Sequence, residues 1–375
     1  MAAATGGDKP PLYQQVKHEL LAAIAAGEYA PGRPFVTQRE ICERFNVSHA
    51  TAVRALNDLA TEGYVVRRRG QGTFVADRPP AASSPPDKTI ACVLQNQGPH
   101  VGQILTGIEE VCADLGYRLF LNHCENDPAR EEKVLWGALE HQVSGIIVYP
   151  AEGSLTVAPY AEARRRGVPL VMVDRYRPDL ATDAVVADNM AVGRELTAEL
   201  IESGHRTIAT LWDEIDVTSI RDRLAGHVQA LRENDIPVRP DLTVLRRYRE
   251  QPTEARRAML NELLHGSHPP SVLLCSNGYA LATVAQDLVA LGLEVPGDID
   301  LACMDDAGPF DVLPLTAAAI SLPARDMGRR AMTLLHDRVS GKPSETQLIV
   351  LPVTIQTRQS SAGYMRISRL EKGAS

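Results

Sequence analysis

The sequence predicts an α/β protein in two unequal parts: a small helical head closed by a β-hairpin, and a two-lobed body of doubly wound parallel sheets. Three observations predict it. Residues 37–75 hold two short capped helical runs followed by two short β-prone runs. Residues 77–88 then interrupt all periodicity with four prolines among Ala, Ser and Asp. From Thr89 onward apolar strands alternate with amphipathic helices, the pattern of parallel sheets with crossover helices on both faces. That alternation is too long for a single core, so two lobes are expected.

The head begins with a helix over 12–26, in which Leu12, Val16, Leu20 and Ile24 recur at i, i+4 spacing and Gly27 ends the run. Thr37 followed by Glu40 has the spacing of a capping box, and Ile41 and Phe45 share one face of the short helix it opens. Asn46-Val47 breaks that helix and Ser48 supplies a second N-cap. Ala52, Val53, Leu56 and Leu59 then recur at helical spacing until Gly63. Two helices joined by so tight a turn describe a helix-turn-helix. Tyr64-Val65-Val66 and Thr73-Phe74-Val75 flank Arg67-Arg68-Arg69-Gly70-Gln71-Gly72, a hairpin whose tip is basic and whose glycines permit positive φ. Beside a helix-turn-helix such a hairpin is a wing, with arginines placed to reach phosphate or the minor groove.

Composition sets the class. The 375 residues are 44% hydrophobic and 23% charged, as in a soluble protein of two or three domains. No run approaches the length of a membrane span, and the N-terminus has neither a basic region nor an apolar core of a secretory signal. Six cysteines, at 42, 92, 112, 124, 275 and 303, form no C-x-x-C pair and are expected to be small buried hydrophobes in a reducing compartment. A cytoplasmic protein without membrane association is therefore expected. Residues 1–78 carry ten Lys and Arg against eight Asp and Glu, leaving 29 against 39 in the remainder. A slightly basic head on an acidic body can bind nucleic acid locally, but it does not favour DNA wrapping around the whole molecule.

Residues 11–76 resemble the DNA-binding domain of the GntR family of bacterial transcription regulators. The resemblance is carried by PLYQQVKHELLAAIAAGEYAPG, the capped TQREI, VSHATAVRAL and GQGTFV. It implies DNA contacts from Arg39, Thr51 and Arg54, with Gly70 and Gly72 holding the hairpin. Ser48 at the helix start and the wing residues Arg67, Arg68 and Arg69 complete the candidate interface. Where that family carries Arg after the capping Ser, this chain has His49, placed to bond a base or a phosphate.

In the body, apolar strands stop at polar residues: Leu94-Gln95-Asn96, His123, Val173-Asp174-Arg175, Leu211-Trp212-Asp213, Ser276-Asn277 and Met304-Asp305-Asp306. Ligands of open parallel sheets sit at the carboxyl ends of the strands, here a cleft between lobes. Carboxylates, amides and arginine at such a place suit hydroxyls, carbonyls or an anionic group, and a Trp can stack on a sugar face.

Residues 89–357 resemble the effector domain of the LacI family, itself similar to periplasmic sugar-binding proteins. The resemblance rests on VDR at 173–175, DNMAVGRELTAELIESGHRTIATL at 188–211, RLAGHVQAL at 223–231, LLCSN at 273–277, and VPGDIDLACMDD through LPLTAAAIS at 295–321. It implies Asp174, Arg223, Asn277 and Asp305 as effector ligands. Arg175, Trp212 and Tyr248 join them by location. Gly278 replaces the acidic residue usual after Asn277, and Ala317-Ala318-Ala319 replaces a more polar crossover strand.

The expected organisation is a head over 1–76, a proline-rich linker over 77–88, an effector-binding and dimerising body over 89–358, and a tail over 359–375. A GntR-type head on a LacI-type body resembles a known hybrid arrangement. It implies a homodimeric repressor whose hold on operator DNA responds to a sugar or sugar derivative, with no metal and no cofactor. A head of this type also occurs fused to pyridoxal-phosphate enzymes, which need a Schiff-base lysine. From residue 88 onward the only lysines are Lys88, Lys133, Lys342 and Lys372, none at the end of an apolar strand, so that reading is disfavoured. The only G-x-G run, Gly70-Gln71-Gly72, precedes a strand and not a helix, which disfavours a dinucleotide enzyme.

Overall fold

The computed structural model describes residues 12–25, 28–29, 34–61, 63–68, 72–76, 88–95, 98–153, 156–305, 315–342 and 345–357. The chain forms two compact units, residues 1–86 and 87–375. The N-terminal run before residue 12, most of the expected linker (77–87), Arg69 and Gly70 of the wing, and the tail lie outside the described residues.

In the head, α1 (Leu12–Ala25), α2 (Gln38–Phe45) and α3 (His49–Thr61) precede the antiparallel hairpin of β1 (Val65–Arg68) and β2 (Gly72–Val75). The capping box of α2 forms: Thr37 N–H donates to Glu40 Oε2 at 2.6 Å and Glu40 N–H donates back to Thr37 Oγ1 at 3.3 Å. Asn46 ends the helix at φ 50°, a left-handed conformation that Asn tolerates better than most residues. Val16, Leu20 and Ile24 of the α1 stripe and the apolar face of α3 meet in one core with Ile41 and the hairpin residues Val65 and Val75, while Leu12 stays exposed.

The first lobe opens with β3 (Thr89–Leu94), α4 (Pro99–Leu115), β4 (Arg118–His123), α5 (Pro128–Glu140), β5 (Gly145–Val148), α6 (Ala158–Arg166), β6 (Leu170–Val173) and β7 (Asp183–Ala187). The second holds α7 (Asn189–Glu202), β8 (Ile208–Trp212), α8 (Thr218–Glu233), β9 (Thr243–Arg247), α9 (Thr253–His265), β10 (Val272–Cys275), α10 (Gly278–Ala290), β11 (Asp300–Cys303) and β12 (Ala318–Ser321). The chain then returns to the first lobe through α11 (Ala324–Val339) and β13 (Leu348–Leu351), and ends in the second with β14 (Thr354–Thr357). The first sheet runs β13-β7-β6-β5-β3-β4, all parallel. The second runs β14-β12-β11-β10-β8-β9, parallel except for β14 against β12.

Central strands such as β3, β5, β8 and β10 are buried along their whole length, because helices cover both faces of each sheet. The chain crosses between lobes three times, at 187–189, 321–324 and 351–354. The alternation read from the sequence did not include β7, β9, α9, β13 or β14. β13 and β14 are separated only by Pro352-Val353 yet belong to different sheets, a division that local hydrophobicity does not encode. No helix among the described residues is long and apolar enough to cross a membrane.

Candidate effector cleft and DNA interface

In the head, α3 buries Ala52, Ala55, Leu56 and Leu59 and leaves His49 and Arg54 exposed. Ser48 caps the helix, its Oγ accepting from Thr51 N–H at 3.3 Å and lying 2.9 Å from Thr51 Oγ1. The Arg54 guanidinium lies 4.0 Å over the Tyr13 ring, which orients it from α1. Arg39 is 88% exposed and pairs with Glu43 at 2.9 Å, a surface contact weak enough to exchange for phosphate. In the hairpin, Arg67 donates to Asn57 Oδ1 at 2.5 Å and Arg68 lies 4.8 Å over Phe74. Gly72 adopts φ 110° in open space, which explains glycine there by conformation alone. The structure thus gathers Arg54, Arg67 and Arg68 around α3 and the hairpin, each steered by an aromatic ring or an amide.

In the body, the carboxyl ends of both sheets face one cleft of about 400 Å³. The strands pair in register, Leu211 with Cys275 and Cys275 with Cys303, so the polar residues that follow them arrive at one level. Asp174, Arg175, Arg223, Asn277 and Asp305 all line this cleft.

Asp174 follows β6 at φ 71°, an uncommon conformation for a non-glycine residue and one found where function constrains the backbone. Its amide donates to Val185 O at 2.9 Å and its Oδ1 lies 2.6 Å from His100 Nε2. Burial opposes the charge of Asp174, but His100, Tyr149 and Arg223 outweigh it and hold the carboxyl down at about 2. Burial likewise opposes a charged His100, while the Asp174 carboxylate and Asp305 more than offset it and raise the imidazole above its usual 6.5. Arg223 reaches in from α8. Its Nε donates to Asn189 Oδ1 at 2.9 Å and its Nη1 to the Ser276 carbonyl at 2.8 Å, which ties α8, the start of α7 and the end of β10 together. Asn277 caps α10, its Oδ1 accepting from Ala280 N–H at 2.9 Å.

Two charged links join the lobes across the cleft. Arg175 pairs with Glu214 at 2.9 Å while its Nε donates to Pro150 O and its plane lies 4.8 Å from the Tyr149 ring. Glu152, almost wholly buried, accepts at Oε1 from Ile215 N–H, Asp216 N–H and Arg247, at 2.9, 2.8 and 3.0 Å.

Two expected ligands are elsewhere. Trp212 is fully buried at the end of β8, where the strand's alternation turns it into the core and Thr210 Oγ1 on the same face accepts from its Nε1 at 3.0 Å. Tyr248 is buried too. Its hydroxyl donates to Asp287 Oδ2 at 3.0 Å, within a network that Arg256 and Arg257 complete. Both are core residues with their polar atoms satisfied, not walls of the cleft. Conversely, Gln95, His100, Tyr149, Glu152 and Arg247 line the cleft without having been singled out as ligands. The sequence held a partial signal for two of them, a strand ending at Gln95 and a Pro-His pair opening the next helix.

Comparison with known proteins bears on both units. The family described as bacterial regulatory proteins, gntR family, matches residues 12–75, and the periplasmic binding protein-like domain matches residues 197–361. An arabinose metabolism transcriptional repressor of Geobacillus stearothermophilus is 29% identical over 332 residues, covering 87% of this chain and 90% of that protein. A repressor of the same description from Halalkalibacterium halodurans is 25% identical over 367 residues, covering 93% and 96%. Among solved structures, a LacI family transcriptional regulator from Enterococcus faecium with bound ribose matches at a TM-score of 0.62 and 21% identity, over 74% of this chain and all of that one. At that identity the likeness is one of fold.

Proposed function

From a chain that joins a GntR-family regulatory head to a periplasmic-binding-protein-like body, we infer a DNA-binding transcription repressor governed by a small effector bound between its two lobes. The observation that carries this reading is the presence, in one chain, of a capped helix-turn-helix with a basic hairpin and a polar cleft formed by facing strand ends. In this reading the head spans 1–76, the linker 77–88, the body 89–358 and the tail 359–375. His49, Thr51 and Arg54 meet base edges or nearby phosphates, with Ser48 setting the helix start. Arg39 and the wing residues Arg67 to Gly72 meet the backbone or the minor groove. Asp174, Arg175, Arg223, Asn277 and Asp305 hold the effector, and Trp212 and Tyr248 have no part in it.

Nothing in this scheme calls for catalysis. The protein acts in the cytoplasm as a homodimer, because two heads on a two-fold axis read two half-sites roughly 34–36 Å apart or a multiple of that. The effector is a sugar or a sugar derivative. Since two relatives that span most of the chain are named for arabinose metabolism, arabinose is the first compound to try.

Selection of bound sequences from random duplex DNA by the purified protein tests the core of this reading. A palindrome of two half-sites is expected, released when the matching sugar is added. Enrichment of no sequence, or of a single unrepeated half-site, would contradict it.

A further inference from the structure

The second lobe has another cavity, of about 440 Å³, at the amino ends of β8 and β9, the end of its sheet opposite the cleft. Ile208, Leu231, Ile236, Pro237 and Leu242 form its apolar wall, and Arg206, His227, Arg239 and His268 bring nitrogens to it. No Asp or Glu among the described residues lines it.

His227 projects from α8, one turn before Leu231, and is only 1% exposed. Burial pushes its imidazole down to about 4, so the ring is neutral near pH 7. Its Nδ1 lies 2.8 Å from Oγ1 of Thr197, itself fully buried on α7. The Thr197 hydroxyl meets no other acceptor among the described residues. Were Nδ1 the donor, a buried hydroxyl proton would be left without an acceptor, an arrangement that is costly and rare in native structures. Thr197 therefore donates, Nδ1 accepts, and the ring proton sits on Nε2. Nε2 has no partner among the described residues, yet it is not one of the unpaired atoms sealed from solvent. The 1% of His227 that stays open thus includes it, and an N–H donor faces the cavity.

The charge in the wall has one sign. Asp241, outside the wall, pairs with Arg239 and acts on His268. Arg206, just before β8, is exposed and unpaired among the described residues, so it is the uncompensated cation.

We propose that this cavity binds a small carboxylate with an apolar body. The carboxylate accepts from His227 Nε2–H while Arg206 balances its charge, and the hydrocarbon part covers Ile208, Leu231, Ile236 and Leu242. A wholly apolar ligand would leave the His227 donor unpaired, a cation would find no carboxylate in the wall, and a sugar would leave the apolar side chains poorly matched.

Fluorine NMR of 4-fluorobenzoate, 4-fluorophenylacetate and 4-(4-fluorophenyl)butanoate with the full chain, each beside its neutral amide, tests this. At least one acid should bind roughly tenfold or more tighter than its amide. His227→Phe, which keeps a ring of similar size, should weaken that acid about tenfold. Arg206→Gln, an exposed change that leaves the fold alone, should narrow the preference for acid over amide and decides the matter if His227→Phe does not fold. Asp174→Asn, in the cleft, should leave binding of the acid unchanged. The proposal is overturned if no acid binds, if the amides bind as well as the acids, or if Arg206→Gln leaves the preference intact. Loss of binding in Asp174→Asn would place the acids in the cleft and overturn it too.

Discussion

Asp174 and His100 show how a single contact sets the chemistry of the cleft. The two are 2.6 Å apart in a setting where burial penalises both charges, and each helps offset that penalty for the other. Asp174 is held at about 2, below its ordinary 3.8. Its contribution to stability is therefore present above the ordinary value and lost as pH falls through the folded one. His100 is raised above 6.5, so its contribution is complete below 6.5 and lost as pH rises through its folded value. Asp305, Arg223 and Tyr149 are the other charged or titratable groups that act on this pair. In a melting series from pH 4 to 9, the destabilisation by His100→Asn should be largest between about pH 4 and 6.5 and shrink on the alkaline side. A difference that stays constant across the series would mean that the pair is not ionised. At this scale the sequence was readable where an apolar strand runs into a charge, as at Asp174 and Asp305. It misled at Trp212 and Tyr248, because a polar atom on an aromatic ring looks like a ligand contact until its internal partner, Thr210 or Asp287, is visible.

Helix pairs hold the lobes' faces together through glycines whose role is close approach. A Cβ on Gly193 of α7 would collide with the carbonyl of Arg223 on α8, and one on Gly226 would collide with the carbonyl of Met190. The α7–α8 contact thus fixes the backbone from which Arg223 enters the cleft. Gly193→Ala should destabilise the body by about 1–3 kcal/mol through overpacking and weaken effector binding as α8 is pushed away. Gly137→Ala in α5, where nothing lies within 4 Å of the added Cβ, should instead stabilise by about 0.5–1 kcal/mol and leave binding alone. Thermal melts and titrations of the two variants check both, and equal effects would show that close packing is not what Gly193 supplies. Elements with strong periodicity or a clear cap, such as α2 with its capping box and α7, were legible in the sequence. Strands β13 and β14 were not, because each is only four residues long and their partners, β7 and β12, are far away in the chain.

The two units of the whole molecule carry complementary capacities: a basic helix-and-hairpin surface on the head and a polar cleft in the body. Three crossovers and the Arg175–Glu214 and Glu152–Arg247 links connect the two lobes beside the cleft. A ligand regulates DNA binding only if it binds one lobe arrangement better than another, and the coupling is then reciprocal. Two-part organisation was readable from the four prolines and the change of periodicity at Thr89. The interlobe links were not, because Glu152 and Arg247 are 95 positions apart in the chain and neither belongs to a motif. The most direct test is the affinity of the full chain for its selected operator, by fluorescence anisotropy, with and without saturating cleft ligand, in the unmodified protein and in Arg223→Ala. The ligand should weaken operator binding about 5- to 150-fold in the unmodified protein. Arg223→Ala should bind the operator normally and ignore the ligand. A ligand that occupies the cleft yet leaves operator affinity unchanged would contradict the account.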